Sequence, residues 1–127
     1  MEIRNSQEDY LEAILVLAQK NPAVRSVDIA EHLGFSKASV SRAMNQLVES
    51  GLVLMDEGKL ITLTGEGRAQ AEKVYEKHLF FKELLQAAGV DEPVAAEDAC
   101  KIEHAISDES FQAIKDTFAG TGRQRDK

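Results

Sequence analysis

The sequence predicts a mainly α-helical chain, in which an N-terminal winged helix-turn-helix is followed by a smaller helical domain. Apolar residues recur at helical spacing along most of the chain. Two short apolar runs, joined by a linker that contains a glycine, break this pattern and indicate a β-hairpin. With 127 residues, 43% of them hydrophobic, the chain can form one compact domain or two small ones.

The first helix is predicted from a pattern at residues 6–9 that resembles a capping box. An apolar stripe with helical spacing then runs from Tyr10 to Ala18. Pro22 ends this helix, because proline cannot continue the backbone hydrogen bonds.

Two further helices follow, separated by a tight turn. Ser26 is predicted to cap a short helix that ends at Gly34, and Ser36 to cap a third helix that ends before Gly51. The turn at residues 34–36 has the length of a helix-turn-helix turn, and Gly34 can take the positive φ that it requires. The third helix would therefore be the recognition helix.

The hairpin comes next, with predicted strands at residues 52–55 and 60–63 and a turn at 56–59. The predicted elements follow the order helix, short helix, tight turn, helix, hairpin. This is the order of a winged helix-turn-helix. We assign residues 1–70 to this domain.

Helices also account for the rest of the chain. Thr64 is predicted to cap a long helix that reaches about Ala88, and Pro93 lies in the first turn of the next helix, which ends near Ile106. Ser107 caps the last helix. Together these helices form a predicted second domain.

The second domain is assigned to residues 71–118, and residues 119–127 are expected to form a disordered tail because they lack apolar periodicity. The chain shows no signal peptide and no membrane-spanning run, and its only cysteine excludes an intramolecular disulfide. We therefore expect a cytoplasmic protein that does not bind membranes.

The net charge of −7 argues against DNA binding over the whole surface. The recognition helix differs, because residues 36–46 include two basic residues and no acidic one. Small, polar and basic side chains there can approach the major groove and contact bases. The candidate DNA-binding residues are Ser36, Lys37, Ser39, Arg42, Asn45 and, at the tip of the wing, Lys59. The alternative is a winged helix that binds protein, in which these charges are only solvated.

A thiol, a carboxylate and an imidazole share one face of the helix before Ile106. Cys100, Glu103 and His104 stand at positions i, i+3 and i+4. Sulfur, oxygen and nitrogen ligands together suit a transition metal of borderline softness. Taken alone, Cys100 is better explained as a small buried residue, and Glu103 and His104 as a pair of surface side chains.

Three more residues are candidate ligands. Asp9 and Glu12 lie one turn apart on the first helix, and His78 lies on the apolar stripe of the long helix. Each has a plainer explanation, because acidic residues favour a helix N-terminus and a core histidine is usually hydrogen-bonded. Only the combination with a DNA-binding domain favours a metal site.

Several motifs give the chain its resemblance to a known family. They are EDYLEAI at 8–14, VDIA at 27–30, SVS at 39–41, LTGEG at 63–67, CKIEH at 100–104 and SDE at 107–109. With these motifs the chain resembles the diphtheria toxin repressor / manganese transport regulator family of metal-dependent repressors. The resemblance implies a homodimer that binds a palindromic operator in double-stranded DNA when metal is bound.

The resemblance also implies a ligand set. In the manganese branch of the family, the matching positions are Asp9, Glu12, His78, Glu103 and His104. Cys100 instead matches the iron branch, so the implied metal is Mn(II) or Fe(II), with Co(II) or Zn(II) possible in vitro. Glu83 and Glu97 are candidates for a second site.

Two other functions compete with a metal-activated repressor. One is a winged-helix regulator with a redox or small-molecule input. A redox role for Cys100 is weakened by the neighbouring Glu103, because a carboxylate does not stabilise a thiolate. The other is a zinc enzyme, which needs a general base in a substrate pocket. Nothing in the sequence supplies such a pocket, so we expect no enzymatic activity and no small-molecule substrate.

Overall fold

The computed structural model describes residues 2–126, and the side chains of residues 7–118. Among these residues it divides into an N-terminal unit (Met1–Tyr75) and a C-terminal unit (Glu76–Lys127). The elements are, in order, α1 (Glu2–Lys20), α2 (Ser26–Leu33), α3 (Lys37–Glu49), β1 (Val53–Met55), β2 (Ile61–Leu63), α4 (Gly65–Ala87), α5 (Glu92–Ala105) and α6 (Asp108–Asp126). The mainly helical fold and the hairpin are as predicted, while the predicted domain limits stay predictions.

Local hydrogen bonds fix the helix-turn-helix. Gly34 ends α2 with a φ of 73°, and the Ser36 hydroxyl accepts a hydrogen bond from Ser39 N at 3.1 Å to cap α3. Both predictions are confirmed. The predicted cap at Ser26 is wrong, since α2 begins there and Arg25 precedes it as the N-cap.

The start of α1 also differs from the prediction. The helix begins at Glu2, so Ser6 lies inside it rather than at its cap. Residues 2–5 contain no glycine or proline, and nothing in their sequence interrupts a helix that has already begun.

The wing is a two-stranded antiparallel hairpin in which Leu54 is paired with Thr62. An isolated bridge from Val24 to Ile61 adds a short contact on the other side of β2. At the tip, the Asp56 carboxylate accepts a hydrogen bond from Leu60 N at 2.9 Å. Both strands lie within the predicted ranges and each is one residue shorter.

The base of the wing is packed tightly against the start of α4. The Thr64 hydroxyl donates to Gly51 O at 2.7 Å and accepts from Gly67 N at 3.0 Å. A Cβ atom on Gly67 would overlap the carbonyl oxygen of Leu52. Only glycine fits at this position, and the N-terminal core continues from the sheet into α4.

The C-terminal unit has its own small core. Phe81, Ala99 and Phe111 are buried there. Lys77 is also buried, with its ammonium 2.9 Å from Asp108 Oδ1 and 3.4 Å from the carbonyl oxygen of Ile106. These contacts satisfy a buried charge and tie α4 to the turn between α5 and α6.

The backbone of α6 includes most of residues 119–127, the segment expected to be a disordered tail. The side chains of that segment lie outside the described residues, and the expectation stays untested. Within the described residues, no helix combines the length and the hydropathy that a membrane span requires.

Candidate metal centre and DNA-binding face

The candidate metal centre of the C-terminal unit is built largely on α5. Cys100, Glu103 and His104 lie on one face of this helix, and each offers a ligand atom within 4.8 Å of the others. The Glu103 side chain is fully buried and that of His104 is 8% exposed, while Cys100 is half-buried. The helical spacing seen in the sequence thus gives a compact group of three donors.

His78, on α4, joins this group through Glu103. Its Nδ1 atom lies 2.9 Å from Glu103 Oε1, and His104 Nε2 lies 3.4 Å from Glu103 Oε2. The buried carboxylate is therefore flanked by two imidazoles. Burial of a carboxylate is costly unless hydrogen bonds or positive charge compensate it, so this location calls for a cation or a protonated histidine.

The donor set fits a divalent transition metal. Imidazole nitrogen, thiolate sulfur and carboxylate oxygen bind such metals at about 2.0–2.3 Å, which places neighbouring donors a few ångströms apart. Donors that already lie within 4.8 Å of one another need only small side-chain movements to reach this spacing. A mixed nitrogen, sulfur and oxygen set does not suit Mg²⁺ or Ca²⁺, which prefer oxygen alone.

Two further predicted ligands belong to the N-terminal unit, and the two candidates for a second site belong to the C-terminal unit. Asp9 and Glu12 are half-buried, one turn apart on α1 of the N-terminal unit. Glu83 and Glu97 are exposed on α4 and α5, and no possible metal cluster among the described residues includes either of them.

The candidate DNA-binding face lies along α3. Lys37, Arg42 and Asn45 are exposed, as predicted for side chains that reach a DNA groove. Ser36 and Ser39 are joined by a hydroxyl–hydroxyl hydrogen bond of 3.0 Å. The Ser36 hydroxyl therefore donates and accepts within the cap of α3, whereas the Ser39 hydroxyl only accepts there and can still donate its own proton.

Sequence reasoning missed Ser41, which is exposed on the same face as Lys37 and Asn45. The signal was present, because position 41 is four residues from each of them and so lies one turn away on the helix. A small hydroxyl side chain there suits a close approach to DNA.

Lys59 lies at the exposed tip of the wing, where its backbone has a φ of 67°. It is the single non-glycine residue with positive φ in the described part of the chain. The left-handed conformation costs an L-residue about 1 kcal/mol, and glycine would avoid this cost. The structure thus places a strained, exposed cation at the tip, and its contact with DNA stays a prediction.

Two family models match most of the chain. Residues 2–59 match the iron dependent repressor N-terminal DNA binding domain, and residues 64–120 match the iron dependent repressor metal binding and dimerisation domain. The chain belongs to the iron-dependent repressor family. This is the family that the sequence motifs indicated, that of the diphtheria toxin repressor and the manganese transport regulator.

Two transcriptional regulators are similar to most of the chain. The chain is 37% identical over 112 residues to an uncharacterised HTH-type transcriptional regulator of Methanocaldococcus jannaschii, covering 87% of this chain and 90% of that protein. It is 32% identical over 108 residues to the transcriptional regulator MntR of Escherichia coli, covering 85% and 70%.

A solved manganese-dependent transcriptional repressor in complex with manganese has the same fold. It is 30% identical to this chain with a TM-score of 0.77, over 89% of this chain and 52% of that one. The chain thus spans about half the length of this solved relative.

Proposed function

We propose that this chain is a metal-dependent, DNA-binding transcriptional repressor that controls genes of metal homeostasis. The observation that carries the proposal is the buried Glu103 carboxylate, which lies beside two imidazoles and a thiol. This donor group lies in the segment that matches the family's metal-binding and dimerisation domain. The winged helix-turn-helix precedes it, in the segment that matches the DNA-binding domain.

The proposed ligands are His78, Cys100, Glu103 and His104 of the C-terminal unit, completed by two carboxylates of α1. The support for Asp9 and Glu12 is their spacing in the sequence and the family resemblance. These residues would hold a divalent cation, whose positive charge would offset the carboxylates.

The metal is proposed to be Mn(II) or Fe(II), because the ligands combine hard and soft donors. Carboxylate oxygens suit Mn(II), whereas a thiolate favours Fe(II), Co(II) or Zn(II). Cys100 would broaden the response from Mn(II) towards Fe(II). Binding through it releases a proton, so metal affinity should fall as the pH falls.

The partners are proposed to be a palindromic double-stranded DNA operator and a second copy of this chain. The C-terminal unit leaves Leu79, Leu84, Val94 and Phe118 partly exposed, at 37% or more each, and a dimer interface would cover apolar side chains of this kind. A two-fold dimer places two recognition helices about 34 Å apart, one turn of DNA. We propose a cytoplasmic protein with no enzymatic activity.

The test is DNA affinity with and without metal, on a duplex selected from random-sequence DNA by the Mn(II)-loaded protein. We expect at least tenfold tighter binding in Mn(II) or Fe(II) than in chelator, which needs a coupling of about 1.4 kcal/mol, within the usual allosteric range. His104→Ala should bind the duplex as the chelated wild type does. Equal wild-type affinity in metal and in chelator would contradict the proposal.

A further inference from the structure

Tyr10 contacts the helix-turn-helix from α1. Its side chain is 6% exposed, and its ring packs edge-to-face against Phe35 with the ring centroids 5.7 Å apart. Phe35 lies in the turn between α2 and α3, directly before Ser36, the N-cap of the recognition helix. A displacement of Tyr10 would therefore displace Phe35, the residue directly before the N-cap of the recognition helix.

Tyr10 also lies close to α3 itself. It lines a cavity of about 420 Å³ together with Ala43, Gln46 and Leu47 of that helix. Burial raises the pKa of Tyr10, the negative charge of Asp9 raises it further, and the positive charge of Arg42 lowers it. The phenol thus lies within electrostatic reach of a predicted metal ligand and of a predicted DNA contact.

We propose that Tyr10 is a positioning residue that couples α1 to the recognition helix through its ring contact with Phe35. The inference rests on the proposed function, because Asp9, the preceding residue, is one of the proposed metal ligands. A cation that orders Asp9 would also order Tyr10, one residue along the same helix. Close-packed rings transmit such a shift because they cannot compress, and the route to the DNA-binding face passes through Phe35 and the cap of α3.

The aromatic ring, rather than the hydroxyl, carries this coupling. Tyr10→Leu and Phe35→Leu each remove one ring, whereas Tyr10→Phe keeps both. The measured quantity is the activation ratio, which is the Kd for the selected duplex in chelator divided by that in Mn(II). An edge-to-face pair has an interaction energy that corresponds to a factor of about 2 to 10 in an equilibrium constant.

We expect each leucine variant to lower the activation ratio about 2- to 10-fold, the double variant to lower it no further, and Tyr10→Phe to keep the wild-type ratio. Leu17→Ala is the matched control, because Leu17 packs on the same core from the same helix, seven positions and so about two turns from Tyr10, and carries no ring. It should lower the melting temperature and leave the activation ratio unchanged. Mn(II) affinity without DNA separates loss of coupling from loss of metal.

A wild-type activation ratio of 1 would contradict the proposed function and, with it, the coupling. A wild-type ratio well above 1 that persists in both leucine variants would overturn the coupling alone. Additive effects in the double variant would overturn it as well. If Tyr10→Leu does not fold, Phe35→Leu decides the matter, because Phe35 is 38% exposed and its loss is tolerated more easily by the core.

Discussion

Replacing Glu103 by glutamine tests the candidate metal centre by changing one charge at nearly constant shape. In the wild type, the carboxylate is fully buried and lies 2.9 Å from His78 Nδ1. Without metal, Glu103→Gln removes a buried charge and can keep a hydrogen bond to His78. The two effects oppose each other, so we expect the free energy of unfolding in chelator to stay within about 1 kcal/mol of wild type.

With metal, the wild type and the glutamine variant should differ in stability. If the proposed metal binds only the folded form, free Mn(II) at 100 times its Kd should stabilise the wild type by about 2.7 kcal/mol. For a chain of 127 residues this raises the melting temperature by roughly 10 °C. The glutamine variant loses an anionic ligand, so its increase should be no more than a third as large.

The assay is thermal unfolding of both proteins in chelator and at matched free Mn(II). Glu76→Gln is a suitable control, since Glu76 is an exposed acid whose carboxylate pairs with Lys115 at 2.6 Å. It should show the full wild-type increase. The reasoning would be refuted by an equal increase in Glu103→Gln, or by a large loss of stability in chelator with the increase preserved.

Four further predictions follow from other parts of the molecule. The Co(II)-loaded protein should show a near-ultraviolet thiolate charge-transfer band that disappears in Cys100→Ser; a band that survives would make Cys100 a packing residue only. Gly67→Ala should lower the free energy of unfolding by several kcal/mol because the new methyl group overlaps Leu52 O, and a change below about 1 kcal/mol in chemical denaturation would show that the backbone relaxes freely. Sedimentation at micromolar concentration should give a dimer mass, and a monomer mass both with and without metal would rule out the proposed homodimer. Burial raises the pKa of folded Tyr10 above its ordinary value of 10.0, so the folded form holds the phenol proton more tightly than the unfolded form does. The protonated phenol therefore adds to the free energy of unfolding below pH 10, and this stabilisation is lost as the pH rises through the folded pKa. Tyr10→Phe should reduce the loss of stability between pH 9.5 and 11, as measured by urea unfolding at each pH, and equal losses in the two proteins would contradict this assignment.

Much of the fold could be predicted because its signals are local. The cap at Ser36, the left-handed Gly34 and the hairpin turn depend on residues within a few positions, and the structure has all three. The start of α1 was placed too late, because a capping pattern at residues 6–9 does not show whether a helix has already begun upstream.

The site was predicted less completely, for two physical reasons. Residues on one helix, such as Cys100 and His104, can be grouped from their spacing alone. The contact between His78 and Glu103 joins residues 25 positions apart and depends on how α4 packs against α5, which no local pattern specifies. The hydrogen bond from the Ser36 hydroxyl to the Ser39 hydroxyl was missed because spacing predicts which face a residue lies on and not the partner of its hydroxyl.

The close contact between Gly67 and the Leu52 carbonyl has a consequence for the dynamics of the wing. Because that contact leaves no room for a side chain, the base of the hairpin and the first turn of α4 must move together as one piece. The tip, residues 56–59, is held only by hydrogen bonds within its own turn. A duplex that contacted this wing would meet a base that is already ordered, so little conformational entropy would be lost there on binding.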